Sequence, residues 1–302
     1  MKYIISLLLC MNLLYANELI TCKDYKDIAN NIVGKSPPSN MMLQTIRGYK
    51  FPKKISKKDE AFKKLASIES LVKKDIDLVV LWNSKGDYSN LASKLKKVNI
   101  DTCTLPLKSI YDYIDAYLVL GKIMQKEQRA MLLSNYIKKK LEVIEKIGKQ
   151  IPSSSRLRVY YAKGSNGLES ECENSIHSEV INLIGATNPI KCDNIKNMRV
   201  NINYEKLLLL NPDIIITSNK TFFKNIFDES KYRYLKAVKQ KKVYLIPTKP
   251  INWIDNPPSF FKILGLFWLG QKVYSDYYKY DLDKEKAEFY KLFLQRKNDG
   301  NI

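Results

Sequence analysis

Residues 69–83 and 205–219 lie on one another without a gap, at a constant offset of 136. Glu69, Leu71, Asp77 and Asn83 fall on Glu205, Leu207, Asp213 and Asn219. Each copy reads as a short amphipathic helix, a turn at the aspartate, and then an aliphatic run without polar alternation. The runs are Leu78-Val79-Val80-Leu81 and Ile214-Ile215-Ile216. Such a run predicts a strand buried on both faces, hence a parallel sheet covered by helices. One copy alone is a common α/β unit. Two copies predict two similar α/β lobes.

Other elements fit around the repeat. Strands are expected at 99–105, 157–162 and 242–247, and a helix at 90–97. A helix over 108–123 is expected to break near Gly121. A longer one over 126–149 carries Met131, Leu132, Tyr136, Leu141, Ile144 and Ile147 at helical spacing. At ~1.5 Å per residue it would be about 35 Å long, enough to brace two lobes. Helices at 259–274, with Ser259 as N-cap, and 283–296 end the chain. The resulting fold class is α/β, with two Rossmann-like lobes built on parallel sheets and joined by one long α-helix. The lobes occupy 17–123 and 152–302, and the connecting helix 124–151.

Residues 1–16 carry one charge, Lys2, then an apolar run and small Ala16, the pattern of a secretory signal cleaved near Ala16. The run is too short to span a hydrocarbon core comfortably, and Asn12 interrupts it. Cys10 lies inside that run behind bulky Leu9, which argues against lipidation. Residues 17–302 suit two lobes of ordinary size. The net charge of +20 comes from 51 basic and 31 acidic residues. The lysines are dispersed from end to end, usually near Asp or Glu, so no nucleic-acid partner is expected and the charge says little about function. Cys22, Cys103, Cys172 and Cys192 remain after cleavage, none at C-x-x-C spacing. An even number in an exported chain predicts disulfides over metal ligation. Of three pairings, Cys22–Cys103 and Cys172–Cys192 would keep each bridge within one lobe.

Several phrases resemble one family. Asn211-Pro212-Asp213-Ile214 is similar to a strand signature of the class III periplasmic binding proteins, which serve importers of siderophores, haem, cobalamin and related chelates. Tyr160-Tyr161-Ala162-Lys163-Gly164, followed by Gly167-Leu168-Glu169 and by Ser175-Ile176-His177-Ser178-Glu179, resembles a subset of that family. Lys242 through Pro247, and Asn252-Trp253-Ile254-Asp255-Asn256-Pro257, resemble later signatures of the subset. The likeness runs from about residue 28 to 293 and is strongest in the second half. It implies a non-enzymatic, cofactor-free, monomeric periplasmic receptor for a small-molecule metal chelate, delivering to an ABC permease dimer in the inner membrane. In the family one acidic residue on each lobe docks into the permease, and Glu69 and Glu205 match those positions. Two surface glutamates at helix starts would look the same.

In parallel α/β sheets, ligands bind beyond the C-terminal ends of strands. That nominates Ser39, Trp82 and Asn83 from the first half and Tyr161, Lys163, His177 and Asn219 from the second, with Trp253, Asp255 and Asn256. Most of these are also ordinary loop or core residues. His177, the single histidine, is expected two residues into a helix over 176–184 capped by Ser175. There it would welcome an anion at the helix N-terminus, or fill an open position on a chelated metal. Trp82, Trp253 and Tyr161 would stack on a planar ligand, unless they are core. Alternation along 157–162 prevents Tyr160 and Tyr161 from facing the same way. Asp255 would otherwise cap the helix after Pro257. In the subset, Arg commonly stands where this chain has Asn256, which removes an expected cation.

A secreted hydrolase is the rival class, using the cleft as active site, but no Gly-x-Ser-x-Gly or His-Glu-x-x-His occurs. A receptor for free zinc or manganese would need several converging His and carboxylates, and there is one His. Ferric siderophore leads the expected ligands. Haem, cobalamin, a nickel chelate and an oxyanion such as molybdate follow.

Overall fold

The structure, a computed structural model, describes residues 20–52, 65–82, 88–192 and 198–296. The expected export signal, Cys10 and Asn83 lie outside them. The first lobe contains β1 (Ile32–Gly34), α1 (Pro37–Arg47), α2 (Ile68–Val72), β2 (Leu78–Trp82), α3 (Ser89–Lys96) and β3 (Asp101–Leu105). Its strands are parallel, in the order β1-β2-β3. Next come α4 (Asp112–Ile123) and α5 (Glu127–Gln150). The second lobe contains β4 (Val159–Ala162), β5 (Glu169–Glu171), α6 (Glu179–Leu183), β6 (Arg199–Asn201), α7 (Tyr204–Leu210) and β7 (Ile214–Thr217), then α8 (Lys220–Asn225), α9 (Lys236–Lys239) and β8 (Val243–Leu245). β4-β7-β8 form a parallel sheet, and β5-β6 an antiparallel ribbon. The helices α10 (Lys262–Val273) and α11 (Leu282–Leu294) follow.

The repeat survives into three dimensions. α2 and α7 follow N-caps Ser67 and Asn203, whose side chains accept from the N–H groups of Ser70 and Lys206. β2 and β7 start at Leu78 and Ile214. Both runs are buried on both faces. Leu78, Val80 and Trp82 join the main core, whereas Val79 and Leu81 pack on Leu71, Leu95 and Ile100. In β7, Ile214 and Ile216 face the main core and Ile215 an outer cluster containing Tyr160, Phe222 and Tyr232. The main core is continuous from one lobe to the other.

At ~1.5 Å per residue, α5 is about 36 Å long. Arg129, near its start, donates from Nε to Thr45 O (3.2 Å). Near its end Gly148 meets the second lobe, where a Cβ would lie 2.7 Å from Leu183 O. α11 returns to the first lobe, with Leu294 O accepting from Phe51 N (3.1 Å). Cys22 is bonded to Cys103 and Cys172 to Cys192, with Cα separations of 4.7 and 5.7 Å.

Three local expectations change. Gly121 does not break α4. A Cβ there would meet the Ala130 Cβ at 2.2 Å, so the glycine lets α4 and α5 pack together, and the chain turns after Ile123 with Gln125 at φ 51°. Met131 and Leu132 are more than half exposed, and Ala130, Leu133 and Ile137 form the buried stripe instead. Ser259 is not the cap of α10, which begins at Lys262 after Phe261. Ser259 Oγ accepts from Phe261 N (3.3 Å) in a preceding turn that drives Phe260 and Phe261 into the core.

Candidate functional site

Beyond the C-terminal end of β4 the backbone pairs Lys163 with Glu169 (Lys163 N to Glu169 O, 2.7 Å). Gly164 and Gly167, at φ 75° and 67°, turn the chain between them. This folds β5 back over the strand end. In the β5-β6 register Glu171 lies opposite Arg199, and Arg199 Nε donates to Glu171 Oε1 (3.1 Å). Lys163 Nζ donates to the same oxygen (2.6 Å) and to Asp255 Oδ2 (2.8 Å). The other Asp255 oxygen meets His177 Nδ1 at 2.5 Å. Five charged or titratable side chains thus form one chain, Arg199–Glu171–Lys163–Asp255–His177. Glu171 and Asp255 are fully buried and Lys163 is 7% exposed, while His177 and Arg199 have side chains 30% and 53% exposed.

Burial by itself would raise the Asp255 pKa. The hydrogen bond from His177 and the Lys163 ammonium outweigh it and hold the carboxylate well below its usual range. An ionised carboxylate can only accept, so Nδ1 of His177 carries the proton, and in that tautomer of the neutral imidazole the lone pair is on Nε2. Among the described residues nothing hydrogen-bonds to Nε2. Asp255 is held in turn, because Asn252 Oδ1 accepts from the N–H groups of Ile254 (2.9 Å) and Asp255 (3.0 Å). It therefore anchors the site and does not cap the helix after Pro257.

His177 precedes α6 instead of lying in its first turn. Ser175 Oγ accepts from His177 N (3.2 Å), and Ser178 Oγ donates to Cys172 O (2.6 Å), so both serines spend their hydroxyls on turn bonds that compete with helix. The anion-binding helix start expected from the sequence is absent, since α6 is five residues long. A second buried pair lies next to this turn. Lys262 Nζ donates to Glu179 Oε1 (2.6 Å) and to Ile176 O, and Glu179 also accepts from Ser109 Oγ (2.9 Å) and Ile110 N (3.0 Å). Ser109 and Ile110 follow β3 of the first lobe, so Glu179 clasps the lobes two residues from His177.

Other nominated residues have structural duties. Trp253 is 1% exposed, and its indole N–H donates to Lys249 O (3.2 Å). Trp82 is 9% exposed and donates to Leu107 O (2.5 Å). Neither ring is a free stacking platform. Tyr161 is buried beneath Lys163, whose ammonium lies 5.2 Å from its ring centroid. Burial, then the Asp255 charge, push its phenol well above the usual value. Tyr160 faces the opposite side and donates to Gly167 O (2.9 Å). Ser39 is fully buried in the first turn of α1, donating to Ser36 O (3.0 Å). Asn219 caps α8 by accepting from Phe222 N (2.9 Å). Asn256 is exposed at φ 58° before a cis proline, a backbone state that asparagine tolerates and arginine does not favour. The structure adds Glu171 and Arg199, which no spacing in the sequence singles out.

A family model described as periplasmic binding protein matches residues 29–250. The chain belongs to this family, in its class III branch. A solved ABC transporter solute binding protein from Sulfurospirillum deleyianum is 29% identical, with a TM-score of 0.80 over 92% of this chain and 95% of that one. A periplasmic solute binding protein from Veillonella parvula is 23% identical, with a TM-score of 0.73 over 90% and 89%. The molybdate-bound periplasmic binding protein of Haemophilus influenzae is 17% identical, with a TM-score of 0.72 over 92% and 98%. No curated protein sequence matches the chain. No helix among the described residues is long and apolar enough to cross a membrane.

Proposed function

We propose that this protein is the periplasmic capture subunit of an ABC importer, taking an iron–siderophore or another metal chelate to a permease dimer in the inner membrane. The orientation of His177 carries this reading. Its Nδ1 is held by a buried aspartate and its Nε2 is left to coordinate, the arrangement by which proteins prepare an imidazole for a metal. A chelate that leaves one metal position open accepts that nitrogen. Arg199, at the other end of the same run of side chains, offers N–H donors to the chelator's anionic oxygens, in place of the cation missing at Asn256. A hydrolase would need a nucleophile on Nε2, and among the described residues no hydroxyl or thiol hydrogen-bonds there. Glu69 and Glu205, exposed in the first turns of α2 and α7, are the docking charges of this reading.

Molybdate is the second reading. It is supported by Arg199 and by the likeness to the molybdate-bound protein. Calorimetric titration with a ferric catecholate chelate and with molybdate separates the two. For the chelate, His177→Ala weakens binding about tenfold or more, a contact of roughly 1.4 kcal/mol. For molybdate, Arg199→Ala weakens binding and His177→Ala does not. If wild type binds neither, both readings fall.

A further inference from the structure

Glu171, His177 and Asp255 each bring one donor atom within 4.8 Å of the others. Two carboxylates and an imidazole are a donor set suited to a divalent ion such as Zn²⁺ or Ni²⁺. A cation already sits among them, and it belongs to the chain. Lys163 Nζ lies 2.6 Å from Glu171 Oε1 and 2.8 Å from Asp255 Oδ2.

We propose that Lys163 is a built-in cation that closes this donor set to free metal ions, so that the site admits a metal only when a chelator delivers it. The inference rests on the reading that the ligand binds beside His177. An incoming ion would have to evict the ammonium, and the eviction is blocked in three ways. The Lys163 backbone is pinned to Glu169 by hydrogen bonds in both directions (2.7 and 3.3 Å). The ammonium lies over the Tyr161 ring, 5.2 Å from its centroid. An ammonium driven off both carboxylates would be a buried charge without partners. Charge balance acts in the same sense, because Lys163 and Arg199 cancel Glu171 and Asp255 and leave no net negative charge to draw a dication. His177 Nε2 lies outside the lock. It can supply one ligand to a metal whose remaining positions are filled elsewhere, but one imidazole is too little to hold a bare ion.

The test titrates ZnCl₂ and NiCl₂ into wild type, Lys163→Met, Lys163→Gln and Lys163→Arg, by calorimetry and by thermal melting. Wild type and Lys163→Arg are expected to take up no stoichiometric metal below ~100 µM. Lys163→Met and Lys163→Gln should bind one equivalent about a hundredfold more tightly than wild type, with a melting temperature that rises only when metal is present. Adding His177→Ala to either variant should abolish the gain. Lys163→Met leaves Glu171 to Arg199 and Asp255 to His177 without the shared ammonium between them, whereas Lys163→Gln keeps an N–H donor beside them and reports even if the first variant folds poorly. The proposal is overturned if wild type binds one equivalent of free metal that His177→Ala removes, or if neither neutral variant gains metal by either readout. Chelate binding by wild type, measured separately, decides the functional reading, so the two failures look different.

Discussion

Asp77 and Asp213, the matched aspartates of the repeat, do the same job in the two lobes. Asp77 Oδ2 accepts from Asn30 N (3.0 Å) and Asn31 N (2.9 Å) at the foot of β1, and Asp213 Oδ2 from Arg158 N (2.7 Å) at the foot of β4. At the other end of the strands the lobes differ. Among the described residues, the strand ends of the first lobe carry neutral bonds, from Trp82 to Leu107 O and from Ser39 to Ser36 O. The second opens onto a run of charged side chains held by a disulfide-flanked ribbon. The duplicated scaffold is thus shared, and the charged side chains gathered after β4 are what set the second lobe apart. On the proposed reading, recognition is lodged in the second lobe.

The strongest way to break this contrast is to remove the covalent ties one lobe at a time. Cys22–Cys103 spans 81 residues and Cys172–Cys192 spans 20. In the chain-entropy model the first contributes about 4–5 kcal/mol and the second about 3 kcal/mol. Double serine variants, unfolded in urea, should keep that order. The C-lobe pair should also lower ligand affinity, because Cys172 adjoins Glu171, while the N-lobe pair should leave it unchanged. The reverse pattern would put recognition in the wrong lobe.

The charged run gives the next largest effect. Asp255→Ala strips a buried partner from both Lys163 and His177 and should cost about 3–5 kcal/mol. Ser39→Ala, in the neutral turn of the first lobe, should cost about 1 kcal/mol. Acid sharpens the difference. The Asp255 pKa is lowered on folding, so its contribution is present above the unfolded carboxylate value of 3.8 and is lost as pH falls through the folded value. Stability measured from pH 6 downward should fall in wild type below that range, and Asp255→Asn should remove part of the slope. An unchanged slope would mean that Asp255 is not ionised in the folded protein.

The lobes were legible in the sequence because burial on both faces leaves an unbroken aliphatic run, and an offset of 136 links two of them. His177 stood out by being alone. Glu171 and Arg199 were not legible, since their meeting depends on a ribbon register with no periodic signature, reached through a loop tied at Cys172. Trp253 and Tyr161 drew attention as aromatics at strand ends, but their large apolar area is more stabilising in the core, where the structure puts them. Lys163 was visible as a cation. That it was already neutralised from two sides was not.

The smallest effect on the isolated protein is expected from Glu69 and Glu205. They hold matching positions two residues after the caps Ser67 and Asn203, on helices that precede β2 and β7. Each helix leads into its strand through the turn at the matched aspartate, and both carboxylates are exposed. Exposed charges of this kind affect folding little and act on encounter and register with a partner. Glu69→Arg with Glu205→Arg should leave the melting temperature near wild type and ligand affinity within about twofold. Transport in cells and permease binding in vitro should be lost, because a reversed charge adds repulsion against a basic pocket as well as removing an attraction. The single variants sharpen the lobe comparison. If docking uses both lobes equally, as the repeat suggests, each should weaken permease binding to a similar degree. A defect from one alone would make docking as asymmetric as recognition, and normal uptake by the double variant would remove both glutamates from the interface.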